Sequence, residues 1–511
     1  MALNNFASES LTIGIIGAGI MGRGIAQLAA SAGITAIIHD IDAAAVADAG
    51  AFIAQMIDKA KEKGRLSEAD SVRSKSCVRT TTALSDLSGA DMIIEAIVEK
   101  LEVKQAVFRE METLVSPDCI LATNTSSLSV TAIAAACAKP GRVVGCHFFN
   151  PVPLMKLVEI IGGMQTDPAV IEKVQALVER LGHTPVQVKD APGFLVNHLG
   201  RGMNTEGLRV LSEGVAAPHQ VDEIMRECAG FRMGPFELMD LTALDVTCPV
   251  SEQVYAQYYQ EPRLRPTPEL RLRLSAGILG RKTGAGFYRY VKGEKILPEE
   301  PSVPPLPATA RFWISPMVEG LAGQVSGLLQ AAGIGIDEGE VQGADSIAIV
   351  TPLGQDATTI ILEEHLDPGR TVAVDALFCG KGRITLMGSP ATRRNVIDAA
   401  WAAFAAAGLK VTVIRDSAGL VAQRMVANIV NTACDIAQEG VAGTAEIDTA
   451  ARLGLGYPEG PLAMGDRIGA GMILEILENM QVVYGDPRYR PSPWLRRRAM
   501  LGLPLLHEEQ I

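Results

Sequence analysis

An internal repeat constrains this chain more than any other feature of its sequence. Asp190 matches Asp416 and Gly193 matches Gly419; Glu213-Gly214-Val215-Ala216 returns as Glu439-Gly440-Val441-Ala442, Asp222 as Asp448, and Gly234-Pro235 with Asp240 as Gly460-Pro461 with Asp466. All of these pairs share one offset of 226 residues, an ungapped register that chance does not produce. The repeated stretch has long helical patterns, for example Phe194 to Ser212 and Phe236 to Tyr259, so a helical domain is duplicated. Between the copies, Leu297 to Pro307 holds five prolines in eleven residues, too many for helix or central strand, and this predicts a semi-rigid linker. With 511 residues, 48% of them hydrophobic, the chain has material for two to four domains with sizeable cores.

Ahead of the first helical copy the pattern changes to short apolar runs alternating with helical segments. Leu11 to Ile16 ends in glycines and Ile20 to Ala32 reads as helix; Thr35 to Ile38 ends at His39 and Asp40, and Ala43 to Lys63 carries Val46, Phe52, Ile53, Met56 and Ile57 at helical spacing. Met92 to Ile97, Ile120 to Ala122, Val143 to His147, Leu157 to Ile161 and Thr184 to Val188 continue the alternation, as a mostly parallel, doubly wound sheet requires. In the second half, Ala344 to Val350, Thr371 to Val374 and Lys410 to Ile414 look like later strands of such a sheet. Only about 35 residues precede Ala344 after the linker, against about 90 in the first copy. The expectation is that the second sheet has lost its first βαβ unit, glycine turn included. The fold class is therefore α/β: a Rossmann-type sheet (1–189), an all-helical domain (190–295), a Pro-rich linker (296–310), a truncated Rossmann-like copy (311–415) and a second helical domain (416–511).

Composition narrows the function. With 20% charged residues, no polar low-complexity tract and no collagen or heptad period, disorder and fibrous folds are excluded. A net charge of -12 argues against a nucleic-acid partner. The eight cysteines are scattered among apolar neighbours with no CxxC pair, and read as reduced core thiols; no metal-ligand spacing occurs. The terminus MALNNFASES lacks a signal-peptide pattern and no apolar run reaches transmembrane length, so the expected location is the cytoplasm, with no membrane partner.

Gly17-Ala18-Gly19-Ile20-Met21-Gly22 is a G-x-G-x-x-G, weak alone but here placed between a strand and a helix. In that place Gly17 permits the tight turn, Gly19 lets backbone approach a pyrophosphate and Gly22 allows close helix packing. Asp40, ending the next strand, suits both hydroxyls of an adenosine ribose and would repel a 2′-phosphate, so NAD is the expected cofactor rather than NADP. A purely structural glycine turn is the competing reading. A second constellation is Asn124-Thr125-Ser126-Ser127, His147-Phe148-Phe149-Asn150-Pro151, Glu159 and Asn197. A histidine ending a strand beside two phenylalanines also reads as a satisfied core residue. At the carboxyl edge of a dinucleotide-binding sheet it reads instead as a base, with a carboxylate to fix its tautomer, as alcohol oxidation needs.

These blocks, NTSSLS, HFFNPVPLMKLVE, DAPGFLVN, GPFELMD and GRKTGAGFY, resemble the 3-hydroxyacyl-CoA dehydrogenase family over residues 10 to 290. The resemblance implies His147 as base, Glu159 as its partner, and Ser126 and Asn197 as hydrogen-bonding groups around the substrate oxygen. It implies Glu99, Lys104, Asn150 and Lys282 near the cofactor, and Lys63, at the end of a helix with Lys59 and Lys61, as a coenzyme A contact. A solvated helix face is the alternative for that cluster, and Met56 stands where some members have a serine. The implied reaction is NAD-dependent oxidation of an (S)-3-hydroxyacyl-CoA to the 3-oxoacyl-CoA. Length near 500 with a degenerate second half is similar to the long bacterial form associated with phenylacetate breakdown, whose substrate is 3-hydroxyadipyl-CoA, and 3-hydroxybutyryl-CoA is the competing substrate. A terminal carboxylate calls for a cation, for which His198 or Arg201 on the Asn197 helix are available. A non-catalytic NAD-binding protein is the alternative of another class. In the second half Asn197 becomes Gln423 and Glu159 becomes Thr385, so that half is expected to be silent and structural, with a regulatory site as the alternative; the resemblance implies a homodimer, and a copy packed on the first as an internal pseudo-dimer would instead leave a monomer.

Overall fold

The computed structural model describes residues 11–379 and 382–509; the terminal segment MALNNFASES lies outside them. The chain divides into two compact units, Met1–His198 with Glu439–Leu455, and Leu199–Gln438 with Gly456–Ile511. The units thus cut across the two sequence halves.

The first unit opens with β1 (Thr12–Ile16), α1 (Ile20–Ser31), β2 (Thr35–His39), α2 (Ala43–Glu62), α3 (Glu68–Ser76) and β3 (Val78–Thr81). There follow β4 (Met92–Glu95), α4 (Leu101–Leu114), β5 (Ile120–Thr123), α5 (Val130–Ala134), β6 (Val143–Phe148), β7 (Leu157–Gly162), α6 (Pro168–Arg180), β8 (Thr184–Lys189) and the start of α7 (Val196–Ser212). The eight strands form one sheet in the order β3-β2-β1-β4-β5-β6-β7-β8. The strand order reverses between β1 and β4, which leaves a crevice at their carboxyl ends, where ligands of such sheets bind. Central strands are buried on both faces and so read as unbroken apolar runs, TIGII and MIIE among them. Only β6 and β7 are antiparallel, and their register sets His147 directly opposite Glu159. Opposed residues of such a pair point to the same face, so the strand pairing itself brings base and carboxylate together. The edge strand β3, sequence VRTT, is half exposed and too polar to stand out as an apolar run, so the sequence reading lacks it.

In the second unit, α7 is followed by α8 (Pro218–Glu227), α9 (Pro235–Thr242), α10 (Leu244–Gln257), α11 (Pro268–Ser275) and a hairpin of β9 (Arg289–Val291) and β10 (Glu294–Ile296). The helix expected over Phe236 to Tyr259 is broken at Ala243, where φ is 71°, and the hairpin shows that the helical region is not purely helical. The repeated aspartates account for the motif glycines here. Asp240 accepts from the backbone N–H of Phe287 (2.9 Å) and Tyr288 (3.0 Å), and a Cβ on Gly286 would stand 2.1 Å from its carboxylate. Asp222 likewise accepts from Phe236 and Glu237 beneath Gly234.

The second sheet comprises β11 (Arg311–Ile314), β12 (Gly335–Ile336) after α12 (Glu319–Ala331), β13 (Ile347–Val350), then α13 (Ala357–Glu363), β14 (Thr371–Val374), β15 (Arg383–Gly388), α14 (Arg394–Ala406) and β16 (Lys410–Ile414), in the order β12-β11-β13-β14-β15-β16. This corrects the expectation that the first βαβ unit is missing. β11, α12 and β12 form a parallel βαβ unit at the spacing of β1, α1 and β2, and β11 pairs directly with β13. What the copy lacks is the segment that in the first half carries α2 to α4. The error has a physical source: RFWI and GI are too short to register as buried strands, and the turn Ser315-Pro316-Met317-Val318 retains no glycine.

The chain ends with α15 (Ala422–Gln438), α16 (Thr444–Gly454), α17 (Pro461–Ile468), α18 (Ala470–Tyr484) and α19 (Pro493–Leu501). The equivalent helices α7 and α15 pack against each other, with Asn428 Nδ2 donating to the Gly202 carbonyl at 2.7 Å and Arg424, wholly buried, paired with Glu206 and Glu213. The counterparts α8 and α16, again 226 residues apart, are exchanged: Cys228, just after α8, reaches the second sheet at the Arg383 carbonyl (3.5 Å), while α16 belongs to the unit of the first sheet.

Candidate active site

β1 is followed by Gly17, whose φ of 109° and proximity to Ala96 (2.5 Å from an added Cβ to its carbonyl oxygen) exclude any side chain. A Cβ on Gly22 would fall 1.8 Å from the Gly17 carbonyl oxygen, so α1 is able to start this close to the turn only because residue 22 is glycine. Gly19 has open space before it, as a backbone that must receive a pyrophosphate requires. Ile20 and Met21 form the first turn of α1. Asp40 accepts from the backbone N–H of Ala18 (2.9 Å) and Asp42 (3.1 Å), so its carboxylate is tied to the glycine turn. Ile41 beside it is 91% exposed, an apolar surface that sequence reasoning missed because an isolated isoleucine after a strand carries no pattern. These residues fit a dinucleotide.

Across the crevice, Glu99 Oε1 accepts from Thr125 Oγ1 (2.6 Å), Ser126 N (2.9 Å), Ser127 N (3.1 Å) and Ser127 Oγ (3.0 Å). Lys104 is buried behind it, 2.6 Å from Glu95 and 3.2 Å from Glu99. Partial burial pushes the Glu99 carboxyl up, but the Lys104 ammonium and the donors of the Thr125-Ser126-Ser127 turn outweigh it and hold Glu99 below the usual range. Glu95, fully buried, also accepts from Thr123 Oγ1 (2.7 Å) and Ile97 N (2.7 Å). Sequence reasoning missed it because a carboxylate inside an apolar strand has no motif of its own.

His147 Nδ1 lies 2.6 Å from Glu159 Oε2. The carboxylate only accepts, so Nδ1 carries the ring proton and Nε2 keeps the lone pair. Glu159 is fully buried, and its other oxygen accepts from the backbone N–H of Leu195 (3.0 Å) and Val196 (2.7 Å), at the start of α7. One carboxylate thus orients the imidazole and anchors the helix that carries Asn197, whose Nδ2 donates to the Ser126 carbonyl at 3.3 Å. Phe148 N donates to Asn124 Oδ1 (2.8 Å), tying β6 to the same turn, and Phe149 lies 4.4 Å from the His147 ring.

The remaining expected residues fall elsewhere. Asn150 is exposed just beyond β6, and Lys63 is exposed at the carboxyl end of α2, where Lys61 pairs with Glu68 at 3.1 Å. Lys282 stands in the second unit, paired with Asp245. His198 is buried in the first unit; Arg201, in the second, bonds Ser251, and burial pulls its guanidinium down to about 10.

In the second sheet, just beyond the Val374–Leu386 pair of β14 and β15, Asp375 N donates to the carbonyl of Thr385, the counterpart of Glu159, at 3.1 Å. Gln423 Nε2 donates to Asp375 Oδ1 (3.1 Å) and to the Pro352 carbonyl (3.0 Å). Among the described residues no imidazole and no second carboxylate is hydrogen-bonded there. Burial pushes the Asp375 carboxyl up to about 6 against the hydrogen bonds from Gln423 and Phe378. A carboxyl whose folded value is raised binds its proton more tightly in the native state, so it costs stability as pH rises from about 4 to about 6, by roughly 3 kcal/mol. Asp375→Asn is expected to remove that slope and to raise stability at pH 8, as read by urea unfolding at pH 5 and pH 8; equal slopes in both proteins would contradict it.

Among the described residues no helix is long and apolar enough to cross a membrane, and no group of side chains is able to hold a metal ion. The cysteines are free, most of them buried. Residues 12–191 match the family model of the 3-hydroxyacyl-CoA dehydrogenase NAD binding domain, and 193–290 and 419–504 both match that of the 3-hydroxyacyl-CoA dehydrogenase C-terminal domain. The 3-hydroxyadipyl-CoA dehydrogenase of Escherichia coli (strain K12) is 36% identical over 490 residues, 96% of this chain and 98% of the relative. A crystal structure of 3-hydroxybutyryl-CoA dehydrogenase from Escherichia coli K12 superposes with a TM-score of 0.84 at 35% identity, covering 96% of this chain and 98% of the other. A probable 3-hydroxybutyryl-CoA dehydrogenase of Deinococcus radiodurans is 41% identical over 281 residues, which are 55% of this chain and all of the relative. With both helical copies matched, and with likeness to relatives over nearly the whole length, the chain belongs to the 3-hydroxyacyl-CoA dehydrogenase family, in its long form, and is an NAD-dependent oxidoreductase.

Proposed function

We propose that this enzyme oxidises (S)-3-hydroxyadipyl-CoA to the 3-oxo thioester in the cytoplasm, as a step of phenylacetate catabolism. His147 Nε2 takes the proton of the substrate hydroxyl, while Glu159 keeps the ring in the right tautomer and stabilises the imidazolium that forms. Ser126 and Asn197 hydrogen-bond the substrate oxygen. NAD, when bound, supplies the hydride acceptor. Gly17, Gly19, Ile20, Met21 and Gly22 form its phosphate cradle, Asp40 takes the adenosine ribose, and Glu99, kept ionised by Lys104, faces the cofactor together with Asn150. Lys63 contributes to holding coenzyme A. The single observation behind these roles is the bridging Glu159, fully buried with one oxygen on His147 and the other on the first turn of α7. A non-catalytic NAD-binding protein would need this carboxylate only to anchor α7, and an imidazole on its other oxygen would serve nothing.

The adipyl assignment rests on the relative of that name, matched over almost all of this chain. The same chain length is shared with a structure named for 3-hydroxybutyryl-CoA, so the acyl chain is the point to measure. NAD reduction followed at the nicotinamide absorbance with (S)-3-hydroxyadipyl-, butyryl-, hexanoyl- and decanoyl-CoA is expected to give the highest kcat/KM with the adipyl thioester. A preference for the unsubstituted chains would remove the adipyl and phenylacetate parts and keep the dehydrogenase.

A further inference from the structure

Helix α16 comes from the half with no chemistry of its own, yet it belongs to the unit that holds His147 and Glu159. Its approach is fixed along β8, where Lys189 N donates to the Val441 carbonyl at 2.8 Å and Lys189 Nζ to the Glu439 carbonyl at 3.3 Å. Its last residue, Gly454, comes so near the sheet that a Cβ there would stand 2.9 Å from Val196 Cγ2 and 3.0 Å from Leu157 Cδ2. Both neighbours bear on Glu159. Val196 is the residue whose N–H the carboxylate holds at 2.7 Å, and Leu157 lies two residues before Glu159 on β7. The counterpart of Gly454 after α8 is Cys228, which meets the silent sheet at Arg383, the counterpart of Leu157. The side chain is therefore absent on the side where a dyad must be held and present on the side where none exists.

We propose that Gly454 is a positioning residue for the reaction: by carrying no side chain it lets α16 seat Val196 and Leu157 so that Glu159 reaches His147 and the first turn of α7 together. The second half is then a structural part of the catalytic unit. This rests on the roles proposed for His147 and Glu159, so His147→Gln is measured alongside: full activity in that variant would overturn the roles themselves, whereas its inactivity leaves Gly454 to be judged alone.

The test uses the full chain with Gly454→Ala, Gly454→Val, and Gly454→Val combined with Val196→Ala, and Gly471→Ala as a control at an exposed helix position with open space around it. A bulkier residue displaces Val196 and loosens the carboxylate, so Gly454→Val is expected to lower kcat per folded chain on the order of tenfold, with KM for NAD within about twofold of wild type. With Glu159 less able to stabilise the imidazolium, the acidic limb of the kcat profile moves to lower pH. Val196→Ala, which reopens the space, is expected to restore both in the double variant. If Gly454→Val does not fold, Gly454→Ala carries the test, with a loss of about threefold and the same direction of pH shift. Unchanged kcat per folded chain, or a loss that shows neither pH shift nor rescue, overturns the proposal.

Discussion

Replacing His147 by glutamine is expected to leave a folded protein that binds NAD as before and turns over on the order of a thousandfold more slowly, about 4 kcal/mol of barrier. The glutamine amide is able to donate to Glu159 Oε2 in place of Nδ1, which lies 2.6 Å away, so the buried carboxylate keeps a partner and the strand pairing survives. What disappears is the lone pair on Nε2, and with it the proton acceptor that His147 presents at the strand end. The measurement is NAD reduction under saturating (S)-3-hydroxybutyryl-CoA together with NAD titration by fluorescence. Wild-type kcat in this variant would refute the proton transfer assigned to His147.

The second large effect is expected for Glu159→Gln. One oxygen of the native carboxylate accepts from His147 and the other from the N–H groups of Leu195 and Val196, so all its contacts are donors. An amide has one accepting end. If its oxygen faces the backbone, its NH2 opposes the imidazole Nδ1 and forces the proton to Nε2, the tautomer that is unable to act as base. If its oxygen faces the imidazole, its NH2 opposes two backbone donors at a site with no water access. The first arrangement disables the base and the second leaves buried donors unmet, at about 1–3 kcal/mol, so kcat is expected to fall on the order of a hundredfold. Calorimetry and steady-state kinetics on one preparation separate the two costs. A variant with native melting temperature and native kcat would mean that Glu159 orients neither the ring nor the helix.

Much of this was legible in the chain itself. Parallel strands buried on both faces must be apolar along their whole length, so most of the first sheet could be read from runs such as TIGII and MIIE, while VRTT at its edge could not. The glycines at 17 and 22 stand where no side chain fits. The second sheet was misread at its start because its first strands, RFWI and GI, are too brief to show a period. Glu95 escaped notice because its partner Lys104 is only a neighbour once β4 and α4 have folded together.

The sequence by itself determined the repeated helical copy and the glycine turn of the dinucleotide-binding sheet, and it presented His147 at a strand end, because each depends on local conformation or on residue identity. Only the tertiary structure decided which groups meet. It placed His147 against Glu159 through an antiparallel register, turned the second oxygen of Glu159 onto α7, buried Lys104 behind Glu99, and laid α16 of the second half against the first sheet. Those contacts join residues tens to hundreds of positions apart, and they form because burial of apolar faces selects one packing of the elements, which no local pattern specifies.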